Sequence, residues 1–232
     1  MTTEDEQVLS FGIQSLNQAS LGFKPSDFAV LYGHQFCKTL TLHLSVQCRL
    51  PRKRGCLNSS TIYVDGGNTF NPYAISDIAR ECGLDPRSAL EGIFVSRAFT
   101  AYQLSALILE TLENALKQYR SKLVLVSDIM SLFLDKDVPA KESVEIFKKL
   151  TTCLSDLAKK RNIIAVATYF HEQHSKRRIL LESVLLEKAN TTIKITDSTG
   201  KMEFTLESHP LLKPFTIELL PRAVTLEKFV EA

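Results

Sequence analysis

Two stretches of this chain, Lys122–Val126 (KLVLV) and Asn162–Thr168 (NIIAVAT), are apolar almost without interruption. A strand with one wet face alternates apolar and polar residues, whereas a strand covered on both faces has no need to. Both stretches therefore predict strands of a parallel sheet lying between two layers of helix. Phe28–Tyr32 (FAVLY) behaves in the same way, and Thr61–Asp65 (TIYVD) and Gly92–Val95 add two more strands bounded by turn residues. Helical periodicity fills the gaps between them. Leu104, Ile108, Leu112, Leu116 and Tyr119 predict an amphipathic helix over Thr100–Tyr119, and Phe147, Leu150, Leu154 and Leu157 predict another over Ala140–Lys160. Pro72 opens a third helix that Gly83 closes, a fourth runs from Lys38–Thr39 to just before Pro51, and a short one lies near Ser15–Ala19. Strands alternating with helices of this length predict an α/β fold with right-handed crossovers.

The texture changes after Tyr169. His171–Arg178 (HEQHSKRR) is polar and basic and reads as a loop. Thr191–Thr196, Met202–Leu206 and Phe215–Leu219 read as three short strands, with a hairpin turn at Ser198-Thr199-Gly200 between the first two. They are expected to extend the sheet in antiparallel fashion. At 232 residues and 44% hydrophobic, the chain can bury one substantial core, so residues 1–232 are expected to form a single domain.

Charge and cysteines narrow the function classes. A net charge of +2 gives no global attraction to nucleic acid, so any contact with it must be local. One local run exists at Arg49–Gly55, where Arg49, Arg52, Lys53 and Arg54 lie within six residues. The five cysteines are widely spaced with no C-x-x-C pair, which supports neither a disulfide framework nor a zinc site. The N-terminus MTTEDEQ is acidic, and no apolar run reaches membrane-spanning length. A cytoplasmic protein is expected, or a nuclear one in a eukaryote, with no membrane partner.

The stretch Phe28–Leu42 (FAVLYGHQFCKTLTL) reads strand, loop, Lys-Thr, helix, which is the skeleton of a phosphate-binding loop. The motif G-x-x-x-x-G-K-[ST] needs its second glycine so that backbone amides can cradle phosphates, its lysine for the β- and γ-phosphates, and its hydroxyl for magnesium. Here Gly33 stands one residue too close to Lys38, and Cys37 occupies the place of the second glycine. Gly33, Lys38 and Thr39 thus read as the remains of an ATP site; a working site of unusual form and chance similarity are the other two readings.

With these segments in order, the chain resembles the RecA-like recombinases of archaeal and eukaryotic type, most of all the short archaeal RadB-like paralogs that consist of the ATPase core. The likeness spans Leu9–Leu219. Ser10–Asn17 (SFGIQSLN) is similar to the family lead-in S-T-G-x-x-S-L-D, Tyr63–Pro72 (YVDGGNTFNP) to Y-I-D-T-E-G-T-F-x-P, and Arg97-Ala98-Phe99 to the R-A-F after the third strand. The resemblance implies a RecA-like core with a largely parallel central sheet and C-terminal antiparallel strands. It also places the family's Phe-x-x-Ala tether before the core, where this chain begins, so self-polymerisation by that route is not expected.

The same resemblance exposes departures. The family's water-activating glutamate is Gly67 here, its magnesium-orienting aspartate is Ser127 with Asp128 one place late, and its γ-phosphate-sensing glutamine is Phe170. Successive strand residues face opposite ways, so Asp128 is expected to turn from the site unless the backbone re-aims it. Phosphoryl transfer rests almost wholly on positioning and charge stabilisation, so the combined changes imply no ATP hydrolysis. No cofactor is expected, although the retained Lys38 and Thr39 leave weak binding of ATP and magnesium open; no catalytic or metal residue is assigned.

The implied role is a non-catalytic recombinase paralog, an accessory of DNA repair and homologous recombination that binds single-stranded DNA, a recombinase or another paralog. Two segments match the family's DNA-facing loops, Leu134–Lys141 and His171–Arg178. The second places Lys176, Arg177, Arg178, His171 and His174 beside the rings of Tyr169 and Phe170, combining charge for phosphates with faces for base stacking. Arg52, Lys53 and Arg54 are further DNA-binding candidates. Two other functions fit the same residues: a protein-interaction scaffold without DNA contact, and a divergent ATPase in which Asp65 or Asp128 holds the metal and Glu81 or another acid serves as base.

Overall fold

The computed structural model describes residues 8–19, 22–51, 56–170, 175–198 and 200–219. Strand β1 (Leu9–Ser10) pairs antiparallel with β2 (Gly22–Phe23) around α1 (Gln14–Gln18). There follow β3 (Phe28–Gly33), α2 (Phe36–Arg49), β4 (Thr61–Asp65), α3 (Pro72–Glu81), α4 (Pro86–Glu91), β5 (Ile93–Arg97), α5 (Ala101–Ala106), α6 (Leu112–Tyr119) and β6 (Leu123–Ser127). The chain continues through α7 (Ala140–Arg161), β7 (Ile164–Phe170), α8 (Lys176–Lys188), β8 (Thr191–Ser198), β9 (Lys201–Ser208) and β10 (Phe215–Leu219). An eight-stranded sheet in the order β10-β9-β8-β3-β7-β6-β4-β5 carries them, parallel from β8 to β5 and antiparallel from β8 to β10. This is the expected α/β sheet of the RecA-like kind.

Alternation along the doubly covered strands sorts the side chains into two cores. Ala29, Leu31, Leu123, Leu125, Ile164 and Val166 pack with α2 and α3 on one face. Phe28, Val30, Tyr32, Val124, Val126, Ala165, Ala167 and Tyr169 pack with α5 to α8 on the other. Side-chain caps set the starts of α3, α4 and α5. The Asn71 side chain accepts from the amides of Tyr73 and Ala74 at 2.9 and 3.2 Å, with Pro72 as the first helical residue, and Asp85 and Thr100 cap α4 and α5 likewise.

Three expectations are corrected. The helix predicted over Thr100–Tyr119 contains a π turn at Leu107–Thr111, where the Thr111 hydroxyl donates to the Leu107 carbonyl at 2.7 Å and competes with the regular ladder. Lys176–Arg178 is the first turn of α8 rather than a loop, because Ser175 caps it by accepting from the Arg178 amide at 3.1 Å. That helix is a crossover, and it returns the chain parallel to β3, so β8 joins the sheet parallel and only β9 and β10 are antiparallel. No helix among the described residues is long and apolar enough to cross a membrane.

Candidate nucleotide and nucleic-acid site

The carboxyl ends of the parallel strands are where an open α/β sheet holds a ligand, and the phosphate-loop, aspartate and β7–α8 candidates within the described residues lie near them, whereas Glu81 is the last residue of α3, at the far end of that helix. Between β3 and α2 only His34 and Gln35 intervene, since Phe36 and Cys37 are already helical. Lys38 and Thr39 therefore sit in the first turn of α2. Four backbone amides at this connection, those of His34, Phe36, Cys37 and Lys38, have acceptors inside the protein. The His34 amide donates to the Ile195 carbonyl at 2.9 Å, that of Phe36 to His34 Nδ1 at 3.2 Å, that of Cys37 to the His34 carbonyl at 3.1 Å, and that of Lys38 to the Gln35 carbonyl at 2.9 Å. Gly33 serves the sheet: its φ is +108°, and a Cβ there would lie 2.3 Å from the Ile195 carbonyl oxygen. Cys37 is wholly buried, and burial pushes its thiol up to about 12. Lys38 Nζ stands 4.8 Å above the Phe170 ring, a cation–π contact between the two positions where the resemblance expects phosphate lysine and sensor.

At the ends of β4 and β6 a buried polar chain fills the site. The Thr41 and Tyr63 hydroxyls lie 3.0 Å apart, Tyr63 and Thr69 2.9 Å, and Thr69 donates to Ser127 Oγ at 2.9 Å. Ser127, fully buried, donates to Asp65 Oδ1 at 2.8 Å. Asp65 accepts as well from the amides of Thr69 and Phe70 at 2.8 and 3.2 Å and from Arg97 at 3.1 Å. Burial by itself would raise the Asp65 pKa, but these donors outweigh it and hold the carboxyl below its ordinary value. An acid so engaged organises the turn after β4; its oxygens face protein donors, not open space.

Asp128 departs from the strand in the left-handed region, φ +49°, while its amide donates to Thr168 Oγ1 at 3.1 Å. The carboxylate is thereby re-aimed without a bulge, and it settles against Gly67. A Cβ on Gly67 would lie 2.6 Å from Asp128 Cβ and 3.1 Å from its Oδ2. The two departures from the family pattern are in contact.

At β7–α8 the basic and aromatic candidates separate. Tyr169 is fully buried, its ring stacked on Tyr32 at 4.9 Å and its hydroxyl donating to Glu182 at 2.7 Å, so it offers no open face to a base. Arg178 is buried with its guanidinium 5.9 Å from the same ring. Arg177, half-buried, donates to the Asp135 carbonyl at 2.9 Å and to Ser143 Oγ at 3.3 Å. Phe170 is half-buried beneath Lys38, and Lys176 is exposed. His171, His174, Arg52, Lys53 and Arg54 lie outside the described residues.

The family model for Rad51 matches residues 8–184, from β1 to within α8. The chain belongs to the Rad51 family. The DNA repair and recombination protein RadA of Aeropyrum pernix is 32% identical to it over 114 residues, covering 49% of this chain and 35% of that protein. The chain therefore spans about a third of the length of this curated relative.

Sequence reasoning treats two parts of this Rad51-family site as losses, or misses them, and the structure shows both filled. Ser127, taken as a missing aspartate, is the link between Thr69 and Asp65. Its pairing with Asp65 could be expected, because β4 and β6 are parallel neighbours with those two residues in register. The burial of Tyr169 also had a signal: it shares its strand face with Ala165 and Ala167, two residues apart each time.

Proposed function

We propose that this Rad51-family chain acts in DNA repair and homologous recombination as a non-hydrolysing paralog, binding single-stranded DNA, a partner recombinase, or both. The observation that carries the reading is the connection between β3 and α2, where the amides of His34, Phe36, Cys37 and Lys38 donate to protein acceptors and the lysine rests on Phe170. A phosphate chain needs those amides free and that lysine forward. The buried hydroxyl chain around Asp65 supports the same reading, as does Gly67, which has no group to take a proton from water. The name of the A. pernix relative supports the repair and recombination setting.

The test has two parts. With ATP, magnesium and single-stranded DNA, phosphate release is expected at background and unchanged by Lys38→Ala; turnover abolished by that substitution overturns the proposal. Fluorescence anisotropy with a labelled single-stranded oligonucleotide is expected to give an affinity that falls steeply with salt.

A second reading has its own observation. Phe99 is 69% exposed and Tyr102 nearly half exposed, close to β5, which among the described residues pairs only with β4 and forms the edge of the sheet. An apolar patch next to an edge strand suits a protein partner. Co-purification with a recombinase alongside flat DNA titrations selects this scaffold role.

A further inference from the structure

Three cations open α8, where the helix dipole disfavours positive charge. Helix stability therefore gives no reason for Arg177, but its hydrogen bonds do. The guanidinium reaches across to residues 135–143, which lead into and include the first turn of α7, and touches both ends of that stretch. One nitrogen donates to the Asp135 carbonyl at 2.9 Å, where the segment begins, and Nε donates to Ser143 Oγ at 3.3 Å, in the first turn of α7 where it finishes. Each contact is locked behind. Ser143 is fully buried and donates its own hydroxyl to the Phe133 carbonyl at 2.7 Å, and Asp135 accepts from the amides of Asp137 at 3.0 Å and Val138 at 3.3 Å. On the other side, the Ser175 cap fixes the turn that carries Arg177.

We infer that Arg177 is a positioning residue, a latch that holds residues 135–143 and the start of α8 as one rigid surface. The two strand-end segments are then held to one another, and a partner that engages one of them is felt at the other. A lysine cannot replace it, since a single ammonium on a flexible stem does not reproduce a planar fork holding two acceptors. The latch rests on the proposed DNA or recombinase binding only for what engages this surface.

Hydrogen exchange on the full chain tests it, with the amides of Asp137, Val138 and Ser143 as reporters and those of Val124 and Val126 in the central sheet as controls. Arg177→Ala and Arg177→Lys are both expected to speed exchange at the reporters by about tenfold and leave the controls unchanged; Ser143→Ala, which removes one acceptor from the other side, is expected to act in the same direction. Reporters unchanged in Arg177→Ala, or restored to normal by Arg177→Lys, overturn the latch. Binding of a single-stranded oligonucleotide separates the two claims: if the unmodified chain binds none, the DNA-binding reading falls while exchange still decides the latch. If it binds, Arg177→Lys is expected to weaken binding as much as Arg177→Ala, whereas retained affinity in Arg177→Lys makes the arginine a simple phosphate contact and overturns the positioning role.

Discussion

Gly67 and Asp128 share one volume: a side chain begun at 67 would place its first carbon 2.6 Å from Asp128 Cβ. The glycine and the displaced aspartate are therefore one structural change rather than two. Restoring a glutamate at 67 alone forces the left-handed Asp128 turn to move, an overpacking cost of about 1–3 kcal/mol. Gly67→Glu is expected to lower the denaturation midpoint, and Gly67→Glu combined with Asp128→Gly, which removes that Cβ and suits the left-handed φ of +49°, to recover most of the loss. A double-mutant cycle by urea unfolding checks this; additive costs would show the two positions to be independent.

Nucleotide is expected to leave stability unchanged. A ligand that binds only the folded chain stabilises it by about 2.7 kcal/mol at one hundred times its Kd, so a thermal melt detects even weak binding at millimolar ATP and magnesium. The expected outcome is no shift. Phe170→Ala releases Lys38 from its ring, and a shift that appears only in that variant would identify Phe170 as the group that fills the place of phosphate.

The parallel sheet was legible because its strands are covered on both faces, and few arrangements other than a doubly covered strand accommodate a short continuous apolar run between turn residues. Thr61–Asp65 matches its observed strand end for end. The start of α8 was not legible. Its cations oppose the dipole, and its exposed Ile179 and Leu180 blur a core stripe made by Leu181 and Leu185. The strand direction of β8 followed from that omission. The phosphate-loop motif calls for a longer loop and so puts the start of α2 at Lys38, whereas His34 and Gln35 alone make the turn and the helix begins at Phe36. At the site, identities such as Gly67 and Ser127 were plain, but that their places are filled by Asp128 and a hydroxyl chain depends on contacts between distant strands.

His43 makes stability depend on pH. Burial in α2 lowers its pKa to about 4, against 6.5 for an exposed imidazole. The folded state therefore favours the neutral ring, and its contribution is complete above pH 6.5 and declines as pH falls toward 4, a loss on the order of 3 kcal/mol across the window. His209 shifts in the same direction, and Asp65, whose pKa is lowered, adds a further loss at still lower pH. Melting temperature is expected to be flat above pH 7 and to drop between 6.5 and 4. His43→Leu should flatten much of that slope; an unchanged slope would assign it to other groups.

Lys176 and Arg178 stand two residues apart in a basic triplet, yet only Lys176 faces solvent. Arg178→Ala removes a buried guanidinium from beside the Tyr169 ring and is expected to cost about 1–3 kcal/mol of stability. Lys176→Ala should leave the melting temperature nearly unchanged, because substitution of an exposed surface lysine removes little buried packing. Their effects on DNA should be the reverse. If the surface binds single strands, removing Lys176 takes away one phosphate contact and reduces the slope of log affinity against log salt by about 0.7, independent of sequence. Arg178→Ala should weaken binding only as far as it loosens the start of α8, with the salt slope intact. Measuring both slopes by anisotropy distinguishes a charge that meets phosphate from one that holds the fold, and equal loss of slope in the two variants would contradict the burial of Arg178 as the deciding difference.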